Sequence, residues 1–265
     1  MWFYATGRHG YMIEKVSQCI EVFSLNENAE VEAAADAFMN GKITLLRVGS
    51  VFSVAYNPNI EGLTDKVGLL KERREGQLMS VVCTYEQAKK IVDKNRVNAD
   101  FFRLSAYFCS GALIRIPVDS TISLPFPYNE AEGTLQFLSF EETHPIRGVL
   151  IKELAARGCE YISITSANIH GAPTIEDLES AKVLAALFNM KASFLDADDV
   201  QTVVTDIPSD KGVHKGSFSI ISFCNPNAIE VKRLANKADR EFTEKYLNEL
   251  FARVHTQTPL LFAPN

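Results

Sequence analysis

From residue 29 onward the chain alternates short apolar runs with stretches of helical period. The segment "AEVEAAADAFMNG" is alanine-rich and ends on Asn40-Gly41, which predicts a helix with a glycine stop. Two strand-like runs follow, "ITLLRV" and "VFSVAY", and then "LTDKVGLLKERRE" with helical character up to Gly76. "LMSVVC" reads as a buried strand, and Thr84 is placed to cap a helix over "TYEQAKKIVDKN".

The middle of the chain predicts a strand at "ALIRIP", a loop rich in Pro and Asn near 125–133, a strand at "TLQFLSF" and a helix over Pro145 to Arg157. "EYISIT" is a further buried strand. Thr174, with Asp177 three residues on, has the spacing of a capping box, and Leu178, Ala181, Ala185 and Phe188 fall on one face of the helix beyond it. Strand candidates "QTVVTD", "SFSIISF" and "AIEVKRL" precede a last helix near Lys237 to Arg253. Strands mixed with helices, without repeats or a long linker, predict one α/β domain over residues 30–236, with 1–29 as an N-terminal extension and 237–265 as a C-terminal helix and tail.

Composition narrows the class of function. Thirty-three acidic against 27 basic residues give a net charge of −6, which argues against coating nucleic acid by bulk charge. The segment from Lys66 to Arg103 is locally basic and reads either as solvated helix faces or as a strip facing phosphates. The five cysteines lack C-x-x-C spacing, so neither a disulfide framework nor a zinc site is expected, and the five histidines form no defensible metal pair. No signal-peptide pattern or membrane-length apolar run is found, so a soluble, cytoplasmic protein without membrane contact is the expectation.

Candidate chemistry lies where the strand before residue 165 stops. Thr165, Ser166 and Asn168 present two hydroxyls and an amide beside backbone N–H groups, a set that suits phosphate or carboxylate oxygens and serves equally as a polar turn. In "GLLKERREGQL", Lys71 and Arg73 near a helix end complement the dipole; they also form a point charge and a planar fork able to hold a polyphosphate.

In order and spacing these pieces resemble the YrdC-like family, whose best-known members are threonylcarbamoyl-adenylate synthases. "AAADAFMNGKITLL" is similar to that family's opening helix and strand, Lys71 and Arg73 to its Lys-x-Arg motif, "SGALI" at Gly111 to the next stretch, and "TSANIHGAPT" to its Ser-x-Asn motif. "GSFSII" and "EVKRLANKA" resemble the last ATP-side strands through Ser219 and Arg233. The resemblance implies a twisted mixed parallel and antiparallel sheet around a concave cleft flanked by helices. It also implies use of ATP with Mg2+, bicarbonate and threonine to form a carbamoyl adenylate and pyrophosphate for tRNA modification. On that reading Lys71, Arg73, Ser166 and Asn168 are catalytic, and Thr165, Ser219 and Arg233 bind the nucleotide. Ser50 and Phe52 touch the substrate, and no site for a metal held by protein alone is implied.

The chain departs from the family most at "RVGSVFSV", residues 47–54, taken as the counterpart of the Pro-Thr-Asp-Thr-x-Tyr-Gly-Leu strand. Arg47 and Ser53 there would narrow or recharge the amino-acid end. Two functions are therefore expected alternatives: a divergent synthase acting on threonine or another amine, or a module that binds nucleotide or RNA without turnover. Expected partners are small-molecule substrates, tRNA or double-stranded RNA, and tRNA-modification proteins.

Overall fold

The computed structural model describes residues 17–73, 79–104, 112–124, 126, 128–129, 131–139, 145–169, 172–195, 199–209, 218–234 and 260–262. In chain order they form β1 (Val22–Ser24), α1 (Asn28–Met39), β2 (Ile43–Val48), β3 (Val51–Tyr56), α2 (Leu63–Leu70), β4 (Ser80–Val82) and α3 (Tyr85–Ile91). Next come β5 (Leu113–Pro117), β6 (Thr134–Leu138), α4 (Pro145–Ala156), β7 (Ile162–Ser166), α5 (Leu178–Ala192), β8 (Thr202–Asp206), β9 (Ile220–Asn225), β10 (Ala228–Arg233) and β11 (Leu260–Phe262). The expected final helix near Lys237 to Arg253, and Gly111, lie outside the described residues. Strand pairing is mixed, parallel and antiparallel, with helices between strands, so the α/β class read from the sequence is the observed one.

The chain divides into two compact units, one made of residues 1–77 and 165–212, the other of 78–164 and 213–265. In the first unit β2 pairs antiparallel with β3, with Leu45 opposite Val54, and parallel with β8, with Leu45 opposite Val204. β8 also pairs parallel with β1. That strand lies inside the expected N-terminal extension, and three residues are too few to show a period.

Local chemistry explains the elements. α1 turns off at Gly41, whose φ of 85° is the left-handed conformation that a glycine adopts without penalty. β2 and β3 are joined by only Gly49 and Ser50, with Gly49 at φ 64°. Residues 47–54 are thus a hairpin and not one strand. α5 starts on Asp177, whose carboxylate accepts from Ser180 N at 2.7 Å, three residues later than the Thr174 cap expected from spacing. Ile175 cannot be helical because its N–H and C=O pair with Ala167 and Phe52. Of the predicted face, α5 buries Ala181, Ala185 and Phe188 and leaves Leu178 half-buried, and Asn189 holds β8 at both backbone polar atoms of Thr202, accepting from its N–H at 2.6 Å and donating to its carbonyl at 3.2 Å.

In the second unit the order is β7, β4, β6, β5, β9, β10, β11. Within "SFSIISF" the strand begins only at Ile220. β11, in the stretch read as a tail, pairs parallel with β10. Thr84 caps α3 as expected, accepting from Gln87 N at 3.0 Å. The core is centred on Phe101, fully buried and edge-on to Tyr85, Phe137 and Phe223 with centroids 5.5, 6.4 and 6.0 Å away. Replacing so many contacts at once leaves a cavity: Phe101→Ala is expected to cost about 3–5 kcal/mol in a denaturant melt. A loss below about 1 kcal/mol would mean that this core is not where the unit's stability resides.

Candidate functional site

β7 ends on Thr165 and Ser166, and the chain then folds back rather than continuing. Ala167, fully buried, donates to the Phe52 carbonyl at 3.1 Å, and Phe52 in turn donates to the Ile175 carbonyl at 2.8 Å. The turn between is held by its own side chains: Ser166 Oγ lies 2.7 Å from Asn168 Oδ1, and Asn168 Nδ2 donates to the Ala172 carbonyl. Such a set of small polar groups supports a rigid turn without apolar packing.

Lys71 and Arg73 reach this turn from α2. The expected helix through Gly76 stops at Leu70: Lys71 is its C-cap and Glu72 is left-handed with φ 55°. Lys71 is 2% exposed, and its ammonium donates to the carbonyls of Ser166 and Asn168, the latter at 2.9 Å, and to Asn168 Oδ1 at 3.2 Å. All three partners are neutral oxygens. Arg73 Nη1 donates to Thr165 Oγ1 at 2.6 Å. Two cations thus converge on one turn, and the nearest acid in sequence, Glu72, pairs with Lys191 instead.

The electrostatic consequence is direct. Burial, then the charge of Arg73, pulls the Lys71 ammonium down from 10.5 to about 7. Burial also lowers Arg73, with the neighbouring Tyr56 phenol acting the other way, and a guanidinium stays charged regardless. Lys71 is met only by neutral oxygens, and half-buried Thr165 and Ser166 add hydroxyls beside it, a donor set that suits oxyanions. Among the described residues no group of three or more His, Cys, Asp or Glu could hold a metal ion.

The structure therefore brings together Lys71, Arg73, Thr165, Ser166 and Asn168, all within the first unit. Ser50 sits in the β2–β3 turn. The Phe52 ring is fully buried, with the Arg47 guanidinium carbon 4.4 Å from its centroid, and it is the Phe52 backbone that bonds to Ala167 and Ile175. Arg47 is spent internally on an ion pair with Asp206 and a 3.3 Å bond to the Glu176 carbonyl. Sequence reading missed Asp206, since nothing in the spacing couples residues 159 apart.

Ser219 and Arg233 lie close together in the second unit, where Arg233 donates to the Phe218 carbonyl at 2.8 Å. Within the basic segment, Lys66, Lys89 and Arg103 are each paired with a carboxylate, on Asp199, Glu86 and Asp100. Cys159 is buried and its thiol is pushed up to about 12, mainly by desolvation, so it is not a nucleophile at neutral pH.

No protein-family model and no curated protein matches the sequence. Solved structures do. P. abyssi Sua5 complexed with L-threonine matches with a TM-score of 0.62 at 13% identity, over 90% of this chain and 62% of that one. The fold is YrdC-like. E. coli YciO matches with a TM-score of 0.57 at 12% identity, over 84% of this chain and 97% of its own. Full-length HypF in its phosphate- and nucleotide-bound form gives 0.57 at 21% identity, over 77% of this chain and 28% of that chain. The chain thus spans about a quarter to under two thirds of the length of HypF and Sua5. At such identities the likeness is one of fold. No helix among the described residues is long and apolar enough to cross a membrane.

A test of the buried cation follows from linkage. Lys71 titrates near 7 in the folded protein and at its ordinary 10.5 when unfolded, so the unfolded chain binds more protons between those values. The Lys71 contribution to stability is constant below pH 7, rises from about pH 7 to 10.5 and is complete above. The melting-temperature difference between wild type and Lys71→Met should therefore shift in favour of wild type from pH 7 to 10 and stay flat from pH 5.5 to 7. A difference that is constant across the whole range would show that the ammonium is not desolvated.

Proposed function

We propose that this chain activates an amine-derived carbamate with ATP, forming a carbamoyl adenylate and releasing pyrophosphate. The observation that carries the reading is the buried Lys71 ammonium, compensated only by neutral oxygens and set beside Arg73 on the Thr165–Asn168 turn. A buried ammonium met only by neutral oxygens, at a turn that carries hydroxyls, is stabilised by an incoming anion. The likeness in fold to Sua5 solved with L-threonine and to HypF solved with phosphate and nucleotide supports choosing a nucleotide and an amino acid among possible anions.

In this reading the amine nitrogen adds to the bicarbonate carbon and water is lost to give a carbamate, one of whose oxygens then displaces pyrophosphate from the α-phosphate. Phosphoryl-type transfer needs positioning and charge stabilisation more than covalent participation by the protein. Lys71 and Arg73 offset the charge that builds on the phosphates, Thr165 and Ser166 orient oxygens by their hydroxyls, and Asn168 fixes the turn. Magnesium would arrive with the nucleotide, held by its phosphates. Threonine is the first amine to try, with the adenylate destined for tRNA modification alongside tRNA-modifying partner proteins in the cytoplasm.

The test is pyrophosphate release from ATP, magnesium and bicarbonate, with and without threonine and then other amino acids. Release should depend on the amine and fall about 100-fold or more in Arg73→Ala and Ser166→Ala. ATP binding without release, whatever the amine, would instead favour the non-catalytic nucleotide-binding module, a reading to which the internally engaged donors of Lys71 also lend weight.

A further inference from the structure

The residue between Lys71 and Arg73 sets how that pair can act. On a continuing helix, residues two apart project to different sides and do not face each other. Here both reach one turn, because the helix stops at Leu70 and the backbone turns left-handed at Glu72, between them. Lys71 N donates to the Val67 carbonyl at 3.0 Å, Glu72 N to Leu69 at 3.1 Å and Arg73 N to Gly68 at 3.0 Å, the closing bonds of a helix whose next residue is left-handed. That residue is ordinarily glycine. Here it is Glu72, and no other non-glycine among the described residues has a positive φ.

A glutamate in this conformation needs support, and α5 supplies it. Lys191 pairs with the Glu72 carboxylate and also lies 3.4 Å from the Leu70 carbonyl, one of those left without a partner when a helix ends. One ammonium therefore engages both the side chain of the left-handed residue and the backbone just before it. Lys66, on α2, is tied to Asp199 at 2.7 Å.

Resting on the anion-site reading, we propose that Glu72 and Lys191 are positioning residues: the left-handed backbone at Glu72, locked by Lys191, directs Lys71 and Arg73 onto the same turn. Neither residue contacts the anion. The role of Glu72 is conformational first and ionic second, so residues that tolerate the left-handed region should replace it.

Two readouts separate this inference from the reading beneath it. The first needs no ligand: the rate of Lys71 modification by an amine-acetylating reagent, followed by mass spectrometry against the exposed Lys152. Glu72→Gly and Glu72→Asn should leave Lys71 as protected as in wild type, while Glu72→Val should speed its modification roughly tenfold, as expected where a β-branched residue meets a left-handed backbone. Lys191→Met should raise the rate in the Glu72 background and not in the Glu72→Gly background, a coupling that a merely local loss of stability would not produce. Protection of Lys71 unchanged in Glu72→Val, or lost equally in Glu72→Gly, would overturn the inference. The second readout is pyrophosphate affinity by calorimetry on the same variants, expected to fall in parallel with the loss of protection. A wild-type protein that fails to bind pyrophosphate would sink the anion site, while the labelling still decides the role of Glu72.

Discussion

A lysine ammonium held out of water, with no carboxylate against it, organises the first unit. Three neutral oxygens can orient Lys71 but cannot neutralise it, and each belongs to the Ser166–Asn168 turn. The turn cannot move without leaving the charge unsolvated, and burying an uncompensated cation is among the costlier events in a folded chain. The rest of the local structure accords with this demand. Ala167 is small enough to disappear beneath the turn, the Phe52 backbone clamps its two sides, and Arg73 anchors its first residue through Thr165.

Arg47 and Asp206 show a different solution to the same problem in the same unit. There the cation has its counterion, the aromatic face of Phe52 beneath it and a backbone carbonyl beside it. Such a pair is structural, because little of its field is left to attract a ligand. The contrast between Arg47, neutralised, and Lys71, not neutralised, distinguishes a fold-stabilising charge from one suited to binding, and it does so without reference to any relative.

Much of this could be read from the letters, and the failures have physical causes. "ITLLRV" and "VFSVAY" coincide with β2 and β3 because continuous apolar runs bounded by Gly-Ser leave few alternatives. Lys71, Arg73, Thr165, Ser166 and Asn168 were legible as a set and do meet. The end of α2 was not legible, since Lys-Glu-Arg-Arg-Glu are all good helix formers and the stop is imposed by a left-handed glutamate that α5 supports. The start of α5 was misplaced because Thr174 and Asp177 are both competent caps, and the choice is made by Ile175 pairing with β3. β1 and β11 escaped notice because a three-residue strand has no period, and the separation of Ser219 and Arg233 into the second unit is a matter of tertiary partition that spacing does not encode.

The division of the first unit into residues 1–77 and 165–212 has a consequence for how the protein comes into being. Lys71 and Ser166 are separated by 95 positions, so the contact closes a long loop made of a whole segment of the other unit. Loop closure of that length carries a small additional entropic cost per residue but slows the search for the contact. During synthesis the lysine must wait, hydrated and charged, until its acceptors leave the ribosome. The site is therefore a late product of folding, and a ribosome stalled before Ser166 would carry an α2 helix with nothing to bury its cation against.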